Sequence, residues 1–345
     1  MNGFPEQIEN EAHLEALLST PREELVDYFA TLEGDILVLG AGGKMGPTLA
    51  KMARNALNRS NPSRKVIAVS RFGNSDAHRD LLDHGVETIQ CDLMNQTALE
   101  RLPSVKNVIY MPGKKFGSNG AEWETWAMNA YLPGLAAERF HQSRIAAFST
   151  GNVYPFVPTD SGGCAEDHAL GPVGEYAQSC MARERIFDYF SRERKTPVVC
   201  LRLNYAVEMR YGVLLDIAQR VYQEQPIDLS MGYVNVIWQG DANAYALLSL
   251  QDCQSPLAAL NITGPQTLSV RELAQQFGGR FNKTPRFSGE ESNTALLNNA
   301  SKCIQQYGEP TVSLDRVIGW LVDWVERNMP LLNKPTSYEK RTGKF

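Results

Sequence analysis

Three glycines, Gly40, Gly43 and Gly46, recur at intervals of three directly after the apolar run Ile36-Leu-Val-Leu39. The stretch that follows, Pro47-Thr-Leu-Ala-Lys-Met-Ala-Arg54, reads as a helix. A buried strand that passes through a glycine turn into a helix is the arrangement that holds a dinucleotide pyrophosphate. Gly40 would make the tight turn, Gly43 would let the backbone approach the phosphates, and Gly46 would let the helix lie close on the strand. Lys44 and Met45 complete the loop. The free N–H groups of the helix's first turn would meet the phosphates with a partial positive charge.

Three further segments bear on the same ligand. The second apolar run ends Val69-Ser70-Arg71. A site selective for NAD usually has an acidic residue there for the ribose hydroxyls, whereas Ser70 and Arg71 suit a 2′-phosphate. NADP is therefore expected ahead of NAD, the alternative being a solvated arginine in a turn. Asp92-Leu93, after the third run, would either meet the adenine edge or open a helix as its cap. Pro112, Gly113 and Lys115 follow the fourth run at the cofactor's end of the fold.

The elements that must position these residues alternate along the chain. Strands are expected at Lys65–Ser70, Val86–Cys91, Val105–Met111, Arg144–Ser149 and Pro197–Leu203. Helices are expected between them at Ser75–His84, Gln96–Leu102, Ala121–Gln142 and Tyr176–Arg194. Such alternation is the signature of an α/β fold with a doubly wound parallel (Rossmann) sheet, whose ligands lie at the carboxyl ends of the strands. The expected organisation is an N-terminal helical extension (1–33), a dinucleotide-binding domain (34–204, with 234–256 returning to it), a smaller C-terminal substrate domain (205–233 and 257–332) and a tail (333–345). Thr20-Pro-Arg-Glu23 reads as a capping box that opens the second helix of the extension. The tail, with Lys334, Lys340, Arg341 and Lys344, is expected to fray.

Bulk properties narrow the class. With 345 residues, 43% hydrophobic and 21% charged, the chain has enough apolar content for a sizeable core. A formal net charge of −5 lacks the basic footprint of a nucleic-acid-binding protein. Six scattered cysteines without a C-x-x-C pair suggest neither a disulfide framework nor a metal site. No apolar stretch approaches the ~18 residues of a membrane span and no leader is apparent, so a cytoplasmic protein is expected.

The fifth run ends Ala147-Phe-Ser-Thr150-Gly-Asn-Val-Tyr154, and 26 residues past Thr150 begins Tyr176-Ala-Gln-Ser-Cys180, with Glu184 eight residues past the tyrosine. With the glycine loop and the segment Asn129-Ala-Tyr-Leu-Pro-Gly134, these motifs resemble the extended branch of the short-chain dehydrogenase/reductase superfamily, the nucleotide-sugar epimerases and dehydratases. The resemblance runs from about Gly34 to Glu326. It implies an NAD(P)-dependent oxidoreductase, epimerase or dehydratase acting on a sugar or sugar-like substrate, assembled as a homodimer through its two long helices. It also implies that the Tyr176 phenol is the acid/base and that the Thr150 hydroxyl bonds the same substrate oxygen.

The chain departs from this pattern where it matters for catalysis. Cys180 occupies the position of the lysine that, in the family, holds the ribose and lowers the phenol's pKa. A free phenol is only about one part in a thousand ionised at neutral pH. A neutral thiol supplies no charge, and a thiolate would oppose phenolate. Three readings stay open: a cation enters from elsewhere (Arg183, Lys114 or Lys115); the chemistry needs only a hydrogen-bond donor or a base for an acidic proton; or catalysis is lost and the chain is a silent dinucleotide-binding sensor or scaffold. Asn204 and Arg210 are expected at the substrate cleft, although Tyr205 replaces the family's asparagine three residues after Arg202. Glu166-Asp167-His168 lies in the loop where a dehydratase would keep acid/base groups, or is simply a solvated loop. Asp241 either closes the second domain on the first or caps a helix.

Overall fold

A computed structural model describes residues 3–73, 75–115, 117, 120–334 and 336–344. Seven strands form one parallel sheet: β1 (Ile36–Leu39), β2 (Val66–Ser70), β3 (Glu87–Gln90), β4 (Asn107–Tyr110), β5 (Arg144–Thr150), β6 (Val198–Leu203) and β7 (Ala258–Ile262). Their order is β7-β6-β5-β4-β1-β2-β3, so the direction of winding reverses between β1 and β4. That reversal opens a crevice at the carboxyl ends of the central strands.

Strand alternation explains why β1 is apolar throughout. Ile36 and Val38 point into one core while Leu37 and Leu39 point into the other, and all four are fully buried. Fifteen-residue α3 (Gly46–Ser60), together with α2 (Glu23–Thr31), contributes to the first core. Helix α1 (Glu11–Leu18) precedes them. Helix α4 (Ser75–Asp83) leads to β3, and α5 (Gln96–Glu100) follows it. The second core is covered by α5, by a long broken helix made of α6 (Glu122–Trp126), a π turn (Ala127–Tyr131) and α7 (Leu132–Arg139), and by α8 (Gly174–Arg194).

After β6 the chain builds a second lobe. Helix α9 (Val213–Tyr222), then after α10 (Gln239–Leu248) helix α11 (Val270–Phe281), and after α12 (Ser301–Tyr307) helix α13 (Leu314–Glu326), share a third core. Short pairings (226–228 with 286–288, 233–234 with 268–269) complete the lobe.

Four expectations need correction. Ala258–Ile262, assigned above to the second domain, is the outer strand β7, because its alternate residues Leu260 and Ile262 complete the sheet's first core. Helix α12 likewise contributes Cys303 and Tyr307 to that core. Thr20 is not a helix cap: α2 starts two residues later, with Arg22 at its N-cap and no side-chain cap bond, while the Thr20 hydroxyl donates to the Ala16 carbonyl of the preceding helix. The tail does not fray, for Thr336 and Tyr338 are each 3% exposed. Residues 335 and 345 of that tail lie outside the described residues.

Candidate active site

At the crevice, the loop 40–46 has the shape its glycines require. Gly40 sits at φ +78°, and a Cβ there would come within 2.9 Å of the Pro112 backbone. A Cβ on Gly46 would lie 2.4 Å from the Ala41 carbonyl oxygen, so the start of α3 can pass that close only without a side chain. A side chain at Gly43 would meet only the Gly40 carbonyl oxygen, at 3.4 Å. That edge of the loop is open, as the approach of a pyrophosphate requires, and the residues present fit a dinucleotide.

The bordering residues divide. Arg71 is exposed and its guanidinium has no partner among the described residues, while its carbonyl accepts from Gln90. Ser70 packs under Gly42, whose Cβ would lie 2.5 Å from the Ser70 hydroxyl oxygen. Asp92 is exposed, its carboxylate accepting from the Met94 N–H in a local turn, and Leu93 is buried in the core. Pro112 is buried against the glycine turn. Gly113 leaves room for a guanidinium: a Cβ there would lie 2.8 Å from Arg183 Nη2.

The carboxyl end of β5 and the first turn of α8 bring Thr150 and Tyr176 together. The Tyr176 phenol lies beside Thr150 and, one turn along the helix, Cys180. Thr150 is fixed in turn by Asn152, whose N–H donates to its hydroxyl at 3.2 Å and whose amide oxygen accepts from it at 3.0 Å. Burial pushes the phenol well above its ordinary range and the neighbouring Cys180 adds to this, while Arg183 and Thr150 pull it back. Tyr176 is therefore a neutral proton donor. Cys180 is fully buried, and burial raises its thiol too, so it packs as a small apolar residue.

A buried cation lies close to the Tyr176 phenol. Arg183, on the same helix and 4% exposed, donates from Nη1 to the Phe148 carbonyl and from Nη2 to the Asn129 amide oxygen, each at 2.7 Å. Asn129 sits in the π turn, where the widened helix turns its side chain inward. It accepts from the Lys114 N–H (2.8 Å) and donates to the Lys114 carbonyl (2.9 Å) and the Ser179 hydroxyl (3.0 Å). With the Arg183 bond, its two donor hydrogens and both acceptor positions are used. A guanidinium stays charged when buried. It thus places a permanent positive charge behind the phenol, and its Nε has no partner.

Lys115 approaches the same ring from the β4 loop, its ammonium 5.9 Å from the Tyr176 ring centre. Lys114, in contrast, pairs with Glu124. Lys44 of the glycine loop donates to the Ala206 carbonyl at 3.3 Å and stands 4.0 Å from the centre of the Tyr211 ring. Burial brings both Lys44 and Lys115 down to about 8. A cavity of about 170 Å³ joins these groups, lined by Lys44, Met45, Lys115, Thr150, Tyr176 and Asn204 among others.

Arg210 lies elsewhere, which corrects its assignment to the cleft. Its guanidinium bonds Glu15 (2.6 Å), Glu208 (3.3 Å) and Glu11 (3.5 Å), and it lines a separate cavity with α9. Glu166 accepts from the Asn261 N–H, and Asp241 accepts from the Thr311 and Val312 backbone, so both tie loops together. Glu184 and Arg202 form a buried pair at 2.8 Å that also holds Ser149 and Tyr154. The sequence singled out Lys44 with the glycine loop, but not Thr336 from the tail, which lines the same cavity. No group of three His, Cys, Asp or Glu among the described residues is placed to hold a metal ion. No described helix is long and apolar enough to cross a membrane.

Comparison with known proteins agrees with this geometry. The fold is similar to UDP-glucose 4-epimerase from Thermotoga maritima (TM-score 0.69, 16% identity, 85% of this chain and 99% of the other). It is similar also to dTDP-glucose 4,6-dehydratase from Streptomyces venezuelae (0.72, 17%, 85% and 97%) and UDP-glucuronic acid 4-epimerase from Bacillus cereus (0.69, 17%, 85% and 99%), both crystallised with NAD. Comparison of the sequence with curated proteins found no significant match. The model of one family matches residues 36–211, just over half of the chain and the part that carries the glycine loop, Thr150 and Tyr176. The chain belongs to the NAD dependent epimerase/dehydratase family.

Proposed function

We propose that the protein is an NAD(P)-dependent oxidoreductase or epimerase acting on a sugar or sugar-like polyol. The observation that carries the reading is the placement of Thr150 and Tyr176 side by side on one polar cavity, with the Arg183 guanidinium buried close to the phenol.

When bound, the nicotinamide would exchange a hydride with a substrate carbon. The chain's own residues do the rest. Thr150 and the Tyr176 hydroxyl hold the oxygen on that carbon. Tyr176, neutral at rest, donates its proton to a carbonyl oxygen as negative charge develops there, and Arg183 stabilises the phenolate left behind. Tyr205 and residues 211–213 of the second lobe form one side of the cavity.

Arg71 supports a preference for NADP, because an unpartnered guanidinium at the end of β2 suits a 2′-phosphate. Trp123, Tyr131 and Tyr189 stand exposed on the two long helices, which supports a homodimer formed there. Six unpaired cysteines support a reducing compartment such as the cytoplasm.

The test follows NADPH and NADH oxidation against a panel of keto-sugars. Turnover by the wild type that is lost in Tyr176→Phe, with cofactor affinity unchanged, is the expected result. Cofactor binding with no turnover across the panel would favour the sensor.

A further inference from the structure

The C-terminal residues 336–344 lie across the mouth of the cleft and are anchored at four places. Thr336 donates from its N–H (3.0 Å) and hydroxyl (2.5 Å) to Asp216 on α9, while its carbonyl accepts from Lys115 at 3.4 Å. Tyr338 is buried in the second lobe's core. Arg341 donates to the Thr294 carbonyl and hydroxyl, both at 2.7 Å, and stacks 4.2 Å from the Phe156 ring centre. Gly343 then meets Gly174 at the start of α8, two residues before Tyr176. Both have positive φ (+68° and +82°), and a Cβ on Gly343 would lie 2.2 Å from the Val173 carbonyl oxygen. A segment seated this closely is part of the site's wall.

What this wall does follows from the space it leaves. Asn152 and Tyr205 line the cavity that holds Tyr176, and they also line an adjoining gap. That gap is bounded by Phe156, Met231, Lys340 and Gly343 and has only about 20 Å³, room for about one water. Thr336 lines the inner cavity as well, so the tail borders both spaces and fills most of the room between Phe156, Met231 and the start of α8.

We infer that residues 336–344 form a strap that closes the outer half of the substrate cleft, so that the substrate is a small free sugar or polyol and not one linked to a nucleotide. The inference rests on the reading of the site as a sugar-acting NAD(P) enzyme and names its substrate class.

The test measures UDP-glucose binding by calorimetry in the presence of saturating NADPH. It compares the full chain with a chain ending at Lys334 and with full-length Gly343→Val, which displaces the strap's end without deleting it. The full chain should show no binding below millimolar concentration. At least one opened variant should bind UDP-glucose about tenfold or more tightly than the full chain does. Hydrogen exchange at 336–344 should be unchanged by UDP-glucose in the full chain. Micromolar UDP-glucose binding by the full chain, with the strap's amides losing protection, would make the strap a lid that yields and would overturn the inference. So would opened variants that bind no better than the full chain. NADPH fluorescence, recorded in parallel, separates the two claims: absence of cofactor binding overturns the reading beneath the inference and the inference with it.

Discussion

Arg183 and Asn129 meet in the interior at 2.7 Å, joining α8, which carries Tyr176, to the π turn of the neighbouring long helix. This contact fixes a guanidinium close to Tyr176, one turn beyond the uncharged Cys180. Arg183→Met should therefore leave the phenol harder to ionise. Turnover should fall roughly a hundredfold, the size of effect seen when one stabilising donor is removed, with the basic limb of the pH–rate profile displaced upward. Because two charge-assisted hydrogen bonds go with it, denaturant unfolding should also show a loss of about 1.5–3 kcal/mol per bond.

Cys180 is expected to be nearly passive. Cys180→Ala should change turnover only a few-fold, and the wild-type thiol should react slowly with a disulfide reagent until the protein unfolds, because it is fully buried and its thiol pKa is raised. Cys180→Lys should not improve the enzyme. It would bury an ammonium beside the Arg183 charge, and thermal unfolding should show a clear loss of stability.

Lys115 gives a pH dependence whose sign is fixed. Burial holds it at about 8, below the ordinary 10.5. Below that folded value both states are protonated and the contribution is flat. Between the two values the unfolded chain keeps a proton that the folded chain has lost, so this lysine makes stability rise with pH across that window. The difference in unfolding free energy between wild type and Lys115→Met, measured by urea titration at successive pH values, should grow over the same interval. A difference that stays constant would contradict the assignment.

The glycine loop makes the cofactor prediction. Gly46→Ala puts a methyl group 2.4 Å from a carbonyl oxygen, so α3 must move off the sheet. NADPH affinity should drop by about tenfold or more, as expected when α3 is forced out of place by overpacking of about 1–3 kcal/mol. Arg71→Asp should instead leave NADH binding intact and weaken NADPH selectively, read by fluorescence titration of both.

What the sequence made legible was local. The glycine loop needs only strand, turn and helix in succession, and the pairing of Thr150 with Tyr176 follows from both lying at one end of the sheet. What it hid depended on distant partners. Arg210 is drawn from the cleft by Glu11 and Glu15, nearly 200 residues away in the chain, on a helix whose docking no local pattern reveals. Arg183 was legible as a candidate by its helical phase, but its anchoring needed the π turn at Asn129, an irregularity that apolar spacing does not announce. The tail reads as polar and basic, yet Arg341 is satisfied by Thr294 and the tail's glycines seat it against α8. Strand β7 was missed because Ala258–Ile262 begins with two alanines and is interrupted by Asn261, and its membership of the sheet is decided by β6 alongside it.

The most direct test of the central claim is a double-mutant cycle on hydride transfer, with wild type, Tyr176→Phe, Arg183→Met and the double variant under saturating NADPH and one keto-sugar substrate. If Arg183 acts through the phenol, the double variant should be no slower than Tyr176→Phe alone. Losses that multiply would show the arginine acting independently of Tyr176, and would contradict the account given for Arg183.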